Sequence, residues 1–217
     1  MEEVVVSAVL LGSLGGAVLG GMLADRIGRR QLLMATAFVF GVGAIGASLA
    51  PGTSWLVVAR IVAGAAIGIA SFVAPLYISE IAPVDIRGKL VSINQVALTS
   101  GIVISYLIDY VFASSGAWRW MFGFAAVPAT AFGIGLFFIP DSPRFLAAHG
   151  KVDEARAVLK RIRIPKQVEG ELKQIQGDAG KHKGGWHELL SPLLRRAMIV
   201  GVGLAVAQQI TGINTVI

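Results

Sequence analysis

Four amides stand out in a chain otherwise dominated by apolar side chains: Gln95, Gln208, Gln209 and Asn214. Each falls in a long run without Asp, Glu, Lys or Arg. An amide both donates and accepts hydrogen bonds. In apolar surroundings it needs a partner, either a neighbouring helix or a polar solute. Gln208 lies twelve residues after Arg196, roughly 18 Å along a helix. Gln209 points about 100° away from it, and Asn214 follows Gly212, where a helix can break. Arg60 is a cation inside an apolar run, and an intramembrane arginine calls for an acid. The chain offers no acid at matching depth, and Asp109, at the outer end of another run, is the closest candidate. A third group sits at run ends: Asp25, Arg29, Glu80, Arg87, Asp141 and Arg144. These charges either pair across run ends or, as arginines alone, anchor them. No nucleophile–base set or paired catalytic carboxylates stand out, since Arg144 reads as neutralising Asp141. His149, His182 and His187 lack the spacing of a metal site, and the cysteine count of zero excludes thiolate ligands. The expectation is a protein that is not an enzyme and uses no metal or cofactor.

The elements that hold these groups follow from composition. The chain has 217 residues, of which 55% are hydrophobic and 15% charged, with a mean hydropathy of +0.72. An average soluble domain carries about 25% charged residues. The apolar residues also come in runs long enough to cross a bilayer, which takes about 20 residues. Six spans are expected: Val4–Ala24, Gln31–Ala50, Trp55–Ile78, Leu90–Ile108, Trp120–Pro140 and Ala197–Ile217. Pro51-Gly52 divides the second from the third. Gly12, Gly16 and Gly20, with Gly64 and Gly68, have the spacing that lets membrane helices approach closely. Trp118–Phe122 reads as an interfacial aromatic anchor, with a stacking platform as the alternative.

Arg26, Arg29 and Arg30 follow the first span, and Arg87 and Lys89 follow the third. The segment Asp141–Arg196 carries 12 Lys/Arg against 7 Asp/Glu. Basic loops alternate with nearly neutral ones, which places the basic loops in the cytoplasm. The net charge of +6 is therefore a topology signal, not a nucleic-acid footprint. Within 141–196, apolar residues at helical spacing (Val152, Ala155, Leu159 and Ile162; Val168, Leu172 and Ile175; Trp186 to Leu194) predict short amphipathic helices. A flexible basic linker is the alternative.

Six motifs occur in order: G-M-L-A-D-R-I-G-R-R from Gly21, R-I-V-A-G-A-A-I-G from Arg60, and P-L-Y-I-S-E-I-A-P-V-D-I-R-G-K-L-V-S-I-N from Pro75. They continue with W-R-W-M-F from Trp118, P-D-S-P-R-F-L from Pro140 and Q-Q-I-T-G-I-N from Gln208. In this order the chain resembles the sugar porter family of the major facilitator superfamily, from Val4 to Ile217. The one departure is P-D-S-P-R for the usual P-E-S-P-R, which keeps the carboxylate.

The resemblance implies an incomplete all-α membrane fold of that superfamily. Residues 1–140 would be five transmembrane helices of the N-terminal half, with the family's first span missing. Residues 141–196 would be the cytoplasmic intracellular-helix segment, and 197–217 the first helix of the C-terminal half. It also implies transport of a monosaccharide (hexose, pentose or polyol) across the plasma or inner membrane by alternating access, as sugar:proton symport in the intact parent. Gln95, Gln208, Gln209 and Asn214 would bind the sugar. Arg60 would be the partner of a proton-coupling acid that lies in the missing span. Asp25, Arg29, Glu80, Arg87, Asp141 and Arg144 would form a cytoplasmic ion-pair gate. A missing transporter half would be needed to complete the pathway. Competing readings are a non-transporting sugar sensor or scaffold, or an inactive transporter fragment.

Overall fold

The computed structural model describes residues 2–181, 198–203 and 206–207, apart from the side chains of a few of these. Residues Met1–Ile175 form one compact unit, and Gln176–Ile217 a second. In the second, the described residues are helical. The sixth expected span, with Gln208, Gln209 and Asn214, lies largely outside the described residues.

Nine helices follow in order among the described residues: α1 Glu2–Ile27, α2 Arg29–Ser48, α3 Thr53–Ile81, α4 Val84–Ala113, α5 Trp118–Phe124, α6 Ala126–Phe137, α7 Pro143–Ala148, α8 Val152–Ile162 and α9 Pro165–Lys181. Five stretches there are long and apolar enough to cross a membrane: Val4–Ile27, Arg29–Ser48, Thr53–Ile81, Asp85–Ala113 and Trp118–Phe137. The fifth span is broken where one unbroken run was expected. Pro128 supplies no N–H to the Phe124 carbonyl, so the ladder lapses at Ala125. Ala125 keeps helical angles (φ −61°, ψ −21°), so α5 and α6 still continue one another. Pro83 ends α3, whose last residue before it, Ala82, is extended (φ −64°, ψ 132°).

α1 and α3 run parallel, and their glycines place backbone on backbone. A methyl group at Gly16 would overlap the Ala65 carbonyl, and one at Gly68 the Ser13 carbonyl. α2 packs on α3 and against α5 and α6. A cluster of Ala24, Leu32, Leu33, Val73, Tyr77 and Leu136 fills the end of the bundle where α1, α3 and α6 finish and α2 begins. No residue from Asp85 to Ala113 in α4 is buried. Its apolar side chains face outward, as lipid contact allows.

α7, α8 and the part of α9 up to Ile175 build their own small core from Phe145, Leu146, Ala155, Val158, Leu159, Val168, Leu172 and Ile175. The amphipathic helices expected around Ala155 and Val168 therefore bury their stripes on one another. α7 begins within the P-D-S-P-R-F-L motif and extends it to Ala148. Its start is set by Ser142, whose hydroxyl accepts from the Phe145 amide, with Pro143 in the first turn. The third expected stripe, Trp186–Leu194, lies outside the described residues.

Candidate functional site

Four helix ends converge on one buried carboxylate. Glu80, near the C-terminus of α3, is 7% exposed. Arg29, opening α2, brings Nε to 3.1 Å from Glu80 Oε2 and Nη2 to 3.0 Å from Asp25 Oδ1 on α1. The Nε approach lies off the hydrogen-bond axis, so Nε has no hydrogen-bond partner among the described residues. We read that contact as charge attraction and not as a directed bond. Arg29 Nη1 donates to the Ala24 carbonyl at 3.1 Å, and its guanidinium lies 5.7 Å from the Phe145 ring centre. Ser142 is fully buried, and its hydroxyl donates a short hydrogen bond to Glu80 Oε2. One carboxylate thus ties α3 to α2 by charge and to the start of α7 by a hydroxyl.

Asp141 works differently from expectation. Its Oδ1 accepts from the backbone amides of Ser142 (2.8 Å) and Arg30 (3.4 Å). An anion there suits the start of α2. Arg144 is exposed and makes no ion pair among the described residues. The motif's arginine therefore does not neutralise its aspartate, because Pro143 and the Ser142 cap turn the chain between them. Arg30 donates from Nε to the Leu136 carbonyl (2.8 Å) and from Nη2 to the Phe137 carbonyl (3.1 Å). It caps α6, where a cation is favoured by the helix dipole. Gly28, between α1 and α2, has φ +102°. A Cβ there would come within 2.8 Å of Asp141 Oδ2, so both backbone and space call for glycine.

The structure brings Asp25, Arg29, Glu80 and Asp141 to one place. Arg87 is not joined to them: it makes no ion pair among the described residues, and its buried Nε has no hydrogen-bond partner there. Sequence reasoning missed Ser142 and Tyr77. Ser142 carried a legible cap signal, Ser-Pro before an apolar stretch, but nothing pointed to Glu80 as its acceptor. Tyr77 is buried, and its hydroxyl donates to the Pro140 carbonyl at 2.6 Å, tying α3 to the strand of chain that leads into α7. Tyr77→Phe is expected to lower stability by about 1 kcal/mol, read as a fall in the thermal unfolding midpoint in detergent. No fall would mean that this bond holds nothing.

Arg60 sits in α3 with its guanidinium 4.9 Å from the Phe122 ring centre. Its Nε is buried without a hydrogen-bond partner, and it makes no ion pair among the described residues, with Asp109 or any other acid. Stacking on Phe122 supports the cation. Arg119 is the neighbouring case: it lies 4.8 Å from the Trp118 ring centre and donates to the Ala50 carbonyl at 3.2 Å. The aromatic motif thus receives arginines, while Trp120 is exposed. Gln95 lies on α4 and is exposed. A groove of about 500 Å³ between α2 and α6 is lined by Met34, Phe38, Val42, Thr130 and Phe137, among others. The Thr130 hydroxyl already donates to the Ala126 carbonyl, so this groove offers little to a polar solute, and Gln95 does not line it.

Five apolar spans, an intramembrane arginine and a charged junction at one end define a multi-pass membrane protein. The chain belongs to the sugar (and other) transporter family, whose model matches residues 2–217. That is a family of transporters and not of enzymes. The chain is 44% identical over 216 residues to a D-xylose transporter of Levilactobacillus brevis, covering 98% of this chain and 47% of the relative. It is 41% identical over 217 residues to the galactose-proton symporter of Escherichia coli K12, covering 99% and 47%. Its fold is similar to that of the proton:xylose symporter XylE bound to 6-bromo-6-deoxy-D-glucose, with a TM-score of 0.84, 32% identity, and coverage of 97% and 50%. The chain spans about half the length of the relatives it matches.

Proposed function

We propose that this chain serves in the movement of a monosaccharide across a membrane by alternating access, coupled to protons. The observation that carries this reading is the match of nearly the whole chain, above 40% identity, to a D-xylose transporter and a galactose-proton symporter. Because those relatives are about twice as long, the proposal includes a complementary set of spans that closes the pathway. Gln95, Gln208, Gln209 and Asn214 take the sugar, each amide both donating to and accepting from hydroxyls. Arg60 pairs with an acid on a neighbouring span, and protonation of that acid loosens the pair. The Asp25–Arg29–Glu80 junction, with Asp141, is a gate that holds one side shut. Arg87 and Arg144 belong to it only if the closed pathway brings acids to them. We place the basic loops and residues 141–196 in the cytoplasm of a cell whose plasma or inner membrane holds the spans.

Uptake of radiolabelled xylose and galactose into proteoliposomes tests this. The chain is reconstituted together with the complementary half of a relative such as the galactose-proton symporter. Saturable uptake is expected, driven by an inward proton gradient and collapsed at least tenfold by a protonophore. Saturable uptake indifferent to the protonophore would sink the coupling to protons, and no uptake of any monosaccharide would sink the transport reading.

A further inference from the structure

Arg163 makes a long-range polar contact outside the junction, to a carbonyl 82 positions away. It caps α8 in an extended conformation (φ −127°, ψ 159°), which sends its side chain away from its own helix. Nη1 donates to the Ile81 carbonyl at 2.8 Å, and Nη2 to the Ala82 carbonyl at 3.3 Å. Those carbonyls are at the end of α3, where Pro83 stops the helix and leaves them without helical donors. The other edge of the guanidinium holds Glu171 of α9 in a fork: Nε to Oε2 at 2.7 Å and Nη2 to Oε1 at 3.0 Å. The Arg163 side chain is 5% exposed. A planar fork with five donors can serve two carbonyls and a carboxylate together, whereas a lysine cannot.

The place of this contact gives it meaning. Ile81 directly follows Glu80 in the chain. The end of α3 is therefore held on one side by Arg163 and on the other, through Glu80, by Arg29 and Ser142. We propose that Arg163 is a positioning residue for the Glu80 junction. It is a helix cap supplied from α8, charge-balanced by α9, that fixes the last turn of α3 so that Glu80 meets Arg29. Any movement of α8 and α9 then reaches the junction through two carbonyls. This rests on reading the junction as a gate.

The chain has no cysteine, so a single reporter is unambiguous. Ala24→Cys places it at a position 1% exposed, beside Asp25 and under the Arg29 guanidinium. Labelling by a water-soluble maleimide is measured in liposomes for this reporter alone, with Arg163→Gln, with Glu80→Gln, and with both. Arg163→Gln is expected to raise the labelling rate about tenfold, the size of effect of losing charged hydrogen bonds. The double variant is expected to label no faster than Glu80→Gln alone, which a general loosening of α8 and α9 would not produce. If Arg163→Gln fails to insert, Glu171→Gln, which keeps the shape and removes the counter-charge, takes its place with the same expectations. An unchanged rate with Arg163→Gln, or additive effects in the double variant, overturns the positioning role while a faster rate with Glu80→Gln leaves the gate standing. An unchanged rate with Glu80→Gln overturns the gate and this inference with it.

Discussion

Glu80→Ala is expected to be among the most damaging polar substitutions in this chain, lowering stability by about 3–5 kcal/mol. The Glu80 side chain is 6% exposed and that of Arg29 11%. Removing the carboxylate leaves the Arg29 guanidinium with Asp25 as its remaining counter-charge among the described residues, and Asp25 is 76% exposed and so screened by solvent. It also leaves the Ser142 hydroxyl, fully buried, without its acceptor. The loss is larger than the worth of the pair itself, because an uncompensated charge and an unmet hydroxyl remain behind. Glu80→Gln separates these effects. Its amide oxygen still accepts from Ser142, and only the charge is gone. It should therefore insert and fold while the junction opens, whereas Glu80→Ala should lower the yield of folded protein and its thermal midpoint. Equal thermal midpoints for Glu80→Ala and the unchanged chain would show that the junction is not a structural hub.

The spans were legible because bilayer thickness sets a minimum apolar length, and charge-free runs report that length directly. The same criterion misplaced their ends. α4 begins at Val84 and not at Leu90, because Asp85, Arg87 and Lys89 are excluded from a charge-free run yet are tolerated in a helical turn at a membrane edge. α1 likewise runs past Ala24 to Ile27. The break at Ala125 had a signal in Pro128 that hydropathy does not read. The charged junction was legible as a set of residue types at span ends, but its wiring was not. Adjacency suggested that Arg144 answers Asp141, while the fold gives Asp141 to two backbone amides. Glu80 and Ser142 are separated by 62 positions, and Arg163 and Ile81 by 82. Such partners become neighbours only once parallel helices finish at the same end, and that depends on the register in which α1 and α3 pack.

That register rests on glycines, so Gly16→Ala and Gly68→Ala are expected to be as damaging as the loss of Glu80. Between membrane helices the lipid is as apolar as the side chains, so association depends on close packing and not on hydrophobic burial. Here the packing is backbone to backbone. A Cβ on Gly16 would overlap the Ala65 carbonyl, and one on Gly68 the Ser13 carbonyl, and Gly12 and Gly64 meet Ile61 and Val9 in the same way. A flexible side chain in the path could turn aside, but a carbonyl in a helix cannot move without its helix. One methyl group is therefore expected to cost about 3 kcal/mol, the upper range for overpacking. Gly15 is the control, since no described residue lies within 4 Å of a Cβ added there. Gly15→Ala should leave stability unchanged or raise it slightly, as alanine is the better helix former. The comparison also reaches the junction. Asp25 lies nine residues beyond Gly16, and Glu80 twelve beyond Gly68, so forcing α1 and α3 apart pulls both acids away from Arg29. In the Ala24→Cys background, Gly68→Ala should speed maleimide labelling as Glu80→Gln does, and Gly15→Ala should not. If Gly68→Ala and Gly15→Ala have the same thermal midpoint and labelling rate, the glycine contact between α1 and α3 does not set the register, and the junction must be held by its charges alone.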